Sequence, residues 1–252
     1  MFPIRDNIPA STRPVMNYAL IAVSALVFII QLATGGDALV ERYGMIPTRV
    51  MHPHKRIVVH EPVIERTAHG PVVLDHTRVI EPTWFPAILT LLTCVFLHGG
   101  WLHFIGNMWF LYIFGDNVED RLGHLGFLLF YLLCGFGASL AQLMISPQTD
   151  IPTIGASGAI AGVMGAYLLL YPHARVLTFI LIFILFYLFP VPAPVFIGIW
   201  FVIQFFQGTL SIGSLAEGGV AWWAHVGGFI VGYLIVRMLR GKGWLRPPIR
   251  HV

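Results

Sequence analysis

Charge is scarce in this chain. Of its 252 residues only 11% are Asp, Glu, Lys or Arg, while 57% are hydrophobic and mean hydropathy is +0.78. That excludes one or two soluble domains of ordinary composition, which carry about 25% charged residues. Cysteine is nearly absent. Cys94 and Cys134 have no CxxC spacing, so neither a disulfide scaffold nor a thiolate metal site is expected, and both read as small core residues. No basic patch interleaved with aromatics accompanies the net charge of +3, so no nucleic-acid partner is expected. A cleavable leader pattern is missing too. Residues 1–16 (MFPIRDNIPASTRPVM) are polar and proline-bearing, and the apolar run after them is long enough to stay as a first helix.

What is present is a series of apolar stretches. A membrane span needs about 20 mostly apolar residues. Tyr18–Thr34, Trp101–Phe114, Gly126–Ile145, Ile154–Tyr171, Pro194–Phe206 and Val220–Leu239 meet or approach that length. They predict an all-α polytopic membrane protein of six helices. With both termini on one side, that side holds nine basic and four acidic residues, and the other six basic and eight acidic. The positive-inside rule then places both termini in the cytoplasm, of a bacterial inner membrane on this reading. The expected organisation is a cytoplasmic segment over 1–16, a membrane domain over 17–239 and a basic cytoplasmic tail over 240–252.

The first loop, residues 35–100, is long. Its middle alternates apolar and polar residues around "AHG", which predicts a β-hairpin on the extracytoplasmic side. His52, His54, His60, His69 and His76 fall here without a tight ligand spacing, so no metal is expected. "WFPAILTLLTCVFLHGG" is short for a span and reads as a partly submerged helix leading into the second crossing. Val176–Phe189 and Pro194–Phe206 are both apolar and are separated by "PVPAP". Only one of them can cross if Ser157 and His225 are to share a face, so the first is expected to be interfacial.

Polar groups inside membrane helices are costly and usually functional. His103 and Asn107, four apart in "WLHFIGNMWF", share a helix face and can both donate hydrogen bonds. They serve equally as packing glue. Ser157 in "TIGASGAIAGVMGAY" opens a segment with Gly158, Gly162 and Gly165 on one stripe. It reads as an N-cap or as a nucleophile beside free backbone N–H groups. His225 in "WWAHVGGFIVG" precedes Gly228 and Gly232 on a matching stripe. Two smooth faces that pack together would bring serine to histidine. A serine nucleophile needs a base, and histidine is the natural one near neutral pH. No carboxylate lies within the spans to orient it, so the arrangement is a dyad.

"FLHGGWLHFIGNMWFLYIFGDNVEDRLG", "GASGAIAGVMGAY" and "AHVGGFIVG" resemble, in order, the signature regions of the rhomboid family of intramembrane serine proteases. The resemblance runs from about Phe85 to Gly232. It implies a six-helix core, Ser157 as nucleophile, His225 as base, and His103 and Asn107 as oxyanion partners. It implies cleavage of single-pass membrane proteins near the outer membrane face, with no metal or cofactor. His98, Glu119 and Arg121 match family positions of structural character, and Glu119 and Arg121 read as a network tying helix two to helix three. Gly155, Gly158, Gly162, Gly228 and Gly232 count as structural around the site.

There are departures from the family pattern. Where some members stack a tyrosine on the histidine, this chain has Ala161, so Trp222 or Trp223 is expected to hold the imidazole. Val220 replaces a common glycine. Trp200, Phe201, Phe205 and Phe206 suit a lateral gate, or simply a lipid-facing or core stripe. Two other functions compete: a proteolytically dead relative that binds membrane helices, and a small transporter using the histidines. The serine and histidine speak against the first. The lack of an obvious inverted repeat speaks against the second.

Overall fold

Lipid offers a peptide group no water to bond, so a spanning segment must satisfy its own backbone, and the helix does so locally. The computed structural model describes residues 1–67, 70–182, 185–211 and 220–247, with side chains outside 60–76 and 181–185. The order is β1 (Phe2–Asp6), α1 (Val15–Ala33), α2 (Asp37–Tyr43), α3 (Pro47–Met51), β2 (Ile57–Thr67) and β3 (Gly70–Ile80). A broken stretch over Ala87–Phe96 follows, with α4 (Thr90–Thr93) between two 3-10 turns. Then come α5 (Trp101–Leu122), α6 (His124–Ile145), α7 (Ser157–Leu170), β4 (Arg175–Ile182), β5 (Leu185–Pro192), α8 (Ala193–Ser211) and α9 (Trp222–Gly241).

Among the described residues, α1, α6, α8 and α9 are each long and apolar enough to cross a membrane. The Ala87–Phe96 stretch meets α5 at 80°, and the pair counts as a fifth candidate if it is one bent span. α7 is shorter, at 14 residues. The surface chemistry agrees with lipid. On α1 the buried face carries Asn17, Ser24 and Gln31, while Leu26 and Ile29 are each 59% exposed. Polar groups inward and large apolar groups outward is the pattern a bilayer favours. The chain is an integral membrane protein.

α7 is the centre. Every residue from Gly158 to Tyr167 is buried, as expected of a helix that is apolar all round. Its three glycines would each cost about 1 kcal/mol of helix propensity in water. In lipid the alternative is unsatisfied backbone at several kcal/mol per group, so propensity loses. α7 packs between α6 and α9 through those glycines. A Cβ on Gly162 would lie 2.5 Å from the Cβ of Cys134 on α6, and one on Gly232 would overlap the backbone of Gly162.

Not everything outside the first loop is helical. Val176–Phe189 is expected to be interfacial, and its described residues lie in β4 and β5, which pair antiparallel. β1 adds to β4, giving the sheet order β1-β4-β5. An apolar run of this length fits a strand or a buried helix equally by periodicity, and its Val, Ile, Phe and Tyr content suits the strand. Pro3, Pro190 and Pro192 all fall on the two edge strands, where a missing N–H is tolerated. Ala193 N donates to Ala174 O at 2.8 Å, so the chain returns to where it left α7 and the hairpin adds no crossing.

In the first loop β2 and β3 pair antiparallel from Ile57↔Ile80 to Thr67↔Gly70. The "AHG" turn includes Ala68 and His69, which lie outside the described residues, as do the side chains of His60 and His76. The tail beyond Pro247 is also outside them.

Candidate active site

Three segments position the site. The first is the loop before α7. Met45 and Thr153 exchange backbone bonds at 3.1 and 2.8 Å, and Gly155 N donates to Cys94 O at 2.9 Å. Gly155 has φ +122, a region that L side chains rarely adopt, and a Cβ there would sit 2.6 Å from His103 Nε2. The loop therefore passes directly under the His103 ring and delivers Ser157 as the first residue of α7. Ala156, not Ser157, is the N-cap, and no side chain caps the helix.

The second segment is the start of α9. Ser157 Oγ lies 2.7 Å from His225 Nε2. The N-cap reading of Ser157 is thereby replaced by a serine–histidine pair. His225 is 7% exposed. Its other nitrogen, Nδ1, is 2.6 Å from Gln204 Oε1 on α8. Trp200 and Trp222 flank the imidazole, with ring centroids 5.9 and 6.1 Å away. Trp222 thus touches the ring as the sequence suggested. Trp223 instead donates Nε1–H to Gly208 O at 3.1 Å and stacks edge-on to Phe205. Phe201 packs on Phe229, and Phe206 is exposed. Gln204 was not anticipated. The sequence signal was a pair of amides, Gln204 and Gln207, in an aromatic run, and which of them faces inward is legible only once α8 is known to face α9.

The third segment is α5. His103 Nδ1 accepts the Gly99 N–H at 3.2 Å, which leaves Nε2 toward Gly155. Asn107, one turn further on, is buried, and its Nδ2 has no hydrogen-bond partner among the described residues. A cavity of about 950 Å³ opens over the pair, lined by Gly99, His103, Ser157 and His225, and by Ser139 and Gln142 of α6. Asn107 is not on its wall.

The remaining residues sit outside this cluster. His98 is held by Gln31 of α1 through two bonds, His98 N to Oε1 at 3.0 Å and Nε2 to His98 O at 3.1 Å, and its ring meets His103 edge-on. Glu119 lies at the far end of α5, about 18 Å along the helix from Asn107. It accepts from Met16 N and Asn17 N of α1 at 2.9 and 2.7 Å and contacts His124 of α6. Arg121 does not join that network: its Nε donates to Arg246 O at 2.7 Å. Among the described residues no group of three His, Cys, Asp or Glu side chains could hold a metal.

The family model described as Rhomboid domain matches residues 86–242. RHOMBOID-like protein 5 of Arabidopsis thaliana is 30% identical over 169 residues, 62% of this chain and 47% of that protein. Rhomboid protein 1, mitochondrial, of Saccharomyces cerevisiae is 28% identical over 166 residues, 64% of this chain and 44% of that protein. Rhomboid protease GluP of Bacillus subtilis is 37% identical over 94 residues, 37% of this chain and 17% of that protein. The matched stretch is less than half the length of each of these three relatives.

Proposed function

The chain belongs to the rhomboid family, and on that premise we propose that it is an intramembrane serine endopeptidase with Ser157 as nucleophile and His225 as general base. The observation that carries this is the 2.7 Å approach of Ser157 Oγ to His225 Nε2 among buried helices. Both groups come from glycine-bearing faces that meet closely, and neither is needed to cap a helix.

The reaction follows from the geometry. His225 Nε2 takes the Ser157 proton as Oγ attacks the scissile carbonyl, then returns it to the leaving amine. The oxyanion of the tetrahedral intermediate needs donors. His103, the Ser157 backbone N–H and the unpartnered Asn107 Nδ2 are the candidates. Asn107 qualifies by its free donor and by the helix face it shares with His103. Water then hydrolyses the acyl-enzyme, entering through a cavity whose Ser139, Gln142 and Thr149 can bond it.

The substrate class is single-pass membrane proteins. α7 spans about 21 Å against a hydrocarbon core of about 30 Å, so with its Leu170 end at one membrane surface Ser157 lies recessed below the other. A segment cut there must leave its helix, which favours sequences weakened by Gly or Pro and a small residue at the cut. The excess of basic residues on the termini side makes that side cytoplasmic, and in a bacterial cell the membrane would be the inner one. A reporter fusion near Pro192 that read extracytoplasmic would overturn this topology.

The deciding experiment treats detergent-purified full chain with a fluorophosphonate and with a transmembrane substrate. Labelling and cleavage that vanish in Ser157→Ala and His225→Ala support the proposal. A well-folded wild type that neither labels nor cuts overturns it in favour of a helix-binding, proteolytically silent relative.

A further inference from the structure

α8 carries two glutamines, and they sit in opposite settings. Gln207 is exposed, whereas Gln204 is buried. Trp200, Gln204 and Gly208 fall at i, i+4 and i+8 on the face that meets the start of α9. Trp200 flanks His225, Gly208 O accepts from Trp223, and Gln204 Oε1 reaches His225 Nδ1 at 2.6 Å. A buried amide among membrane helices is costly unless it is bonded, so this contact is the reason Gln204 can be where it is.

We infer that Gln204 is the positioning residue for His225, its side-chain carbonyl locking the imidazole in the tautomer that can act as a base. This rests on the protease reading above. A glutamine and a histidine can pair in two ways. If Nδ1–H donates to Oε1, the Nε2 lone pair faces Ser157 Oγ and can take its proton. If the amide N–H donates to a bare Nδ1, Nε2–H faces Ser157 and no base is present. The structure sets Oε1 against Nδ1, and an amide oxygen can only accept, which corresponds to the first arrangement. Gln204 therefore fills the place that a carboxylate holds in a serine triad. It does so without a charge, which suits a wall that carries no carboxylate among the described residues. The titratable side chains on that wall, among the described residues, are Cys94, His103 and His225. Trp200 and Trp222 fix the ring plane that the missing family tyrosine would otherwise fix.

The test compares wild type, Gln204→Met and Gln204→Glu in detergent. Fluorophosphonate labelling rates are followed from about pH 5 to 9, and ¹⁵N shifts of labelled histidine, with His225 assigned by its loss in His225→Ala. Gln204→Met removes the acceptor at similar volume. Read below its melting temperature, it should label about 10–100-fold more slowly, the scale seen when a partner that orients a histidine is lost. Gln204→Glu should recover the rate and move the acid limb of the profile to higher pH, because a carboxylate stabilises the imidazolium. Wild type should show a protonated Nδ1 and a bare Nε2, and Gln204→Met a mixture. A Gln204→Met variant with the wild-type rate and profile overturns the inference. So does a slow Gln204→Met that Gln204→Glu neither recovers nor shifts, which makes Gln204 a packing residue. The ¹⁵N result stands without activity: a wild type protonated at Nε2 overturns the inference even if labelling occurs. Absence of labelling alone strikes the protease reading instead.

Discussion

Gly228 of α9 presses its backbone against the carbonyl oxygen of Gly158 on α7, so closely that a Cβ on Gly228 would overlap that oxygen. Ser157 is one residue from this contact and His225 three. The spacing between helices is therefore also the spacing of the pair. Gly228→Ala should push α9 away, cost about 1–3 kcal/mol as overpacking does, and slow fluorophosphonate labelling well beyond its effect on stability. Gly198→Ala on α8, where nothing lies within 4 Å, is the matched control and should leave both unchanged. Equal behaviour of the two variants would show that the contact does not set the site.

Ser157→Ala and His225→Ala should each abolish labelling and substrate cleavage while the protein keeps its elution profile and melting temperature. Ser157 caps no helix, so removing its hydroxyl exposes no backbone donor. A Ser157→Ala protein that still labelled would move the nucleophile elsewhere.

Asn107→Ala tests the oxyanion role of a residue that does not line the cavity. Losing a transition-state donor costs about 10²–10³ in kcat. An unpartnered buried donor contributes no native hydrogen bond, so stability should hold or rise. Full activity in this variant would leave His103 and the Ser157 backbone N–H as the oxyanion donors.

The central pair was legible because its information is local. Glycines at helical spacing on two segments, each with one polar group at matching depth, can be counted along the chain. The six apolar stretches correspond to α1, α5, α6, α7, α8 and α9 for the same reason. Gln204 was not legible, since its role depends on how α8 rotates against α9. The β4–β5 hairpin was hidden because an unbroken apolar run has no period to read. The motif match puts Arg121 in one network with Glu119, but its side chain bonds Arg246 O and Tyr171 at the end of α7 instead.

Glu119 acts on stability, not chemistry. Met16 and Asn17 are in the first turn of α1, where backbone N–H groups have no helical partner. Pro14 offers no side-chain cap, and the Glu119 carboxylate accepts both donors instead, beside the positive end of the helix dipole. Glu119→Ala leaves two donors bare at about 1–3 kcal/mol each and should lower the melting temperature clearly. Glu119→Gln should lose less, since its amide oxygen can still accept. Labelling rates measured below either melting temperature should match wild type. A large rate defect in a folded Glu119→Ala would contradict the structural role.

Asp6 ties the N-terminal strand β1 to the bundle. Its Oδ2 accepts from Asn117 Nδ2 at 2.8 Å and from the Tyr167 hydroxyl, which links β1 to α5 and α7. Burial pushes its carboxyl up to about 6 from the usual 3.8, against the opposing pull of the Tyr167 bond. The folded protein thus holds this proton more tightly than the unfolded chain does. The stability that the neutral form contributes is fully present below about pH 4 and is lost as pH rises through about 6. Asp6→Asn keeps the volume and cannot ionise. Melting temperatures of the two proteins in detergent, taken from pH 4 to 7, should diverge in one direction: wild type falls relative to Asp6→Asn as pH rises. Other titrating groups are common to both and cancel in the difference. A difference that is flat across that window would mean that Asp6 is solvated well enough to ionise freely, and that β1 is held by its pairing with β4 and by the Trp109 bond to Pro3 O.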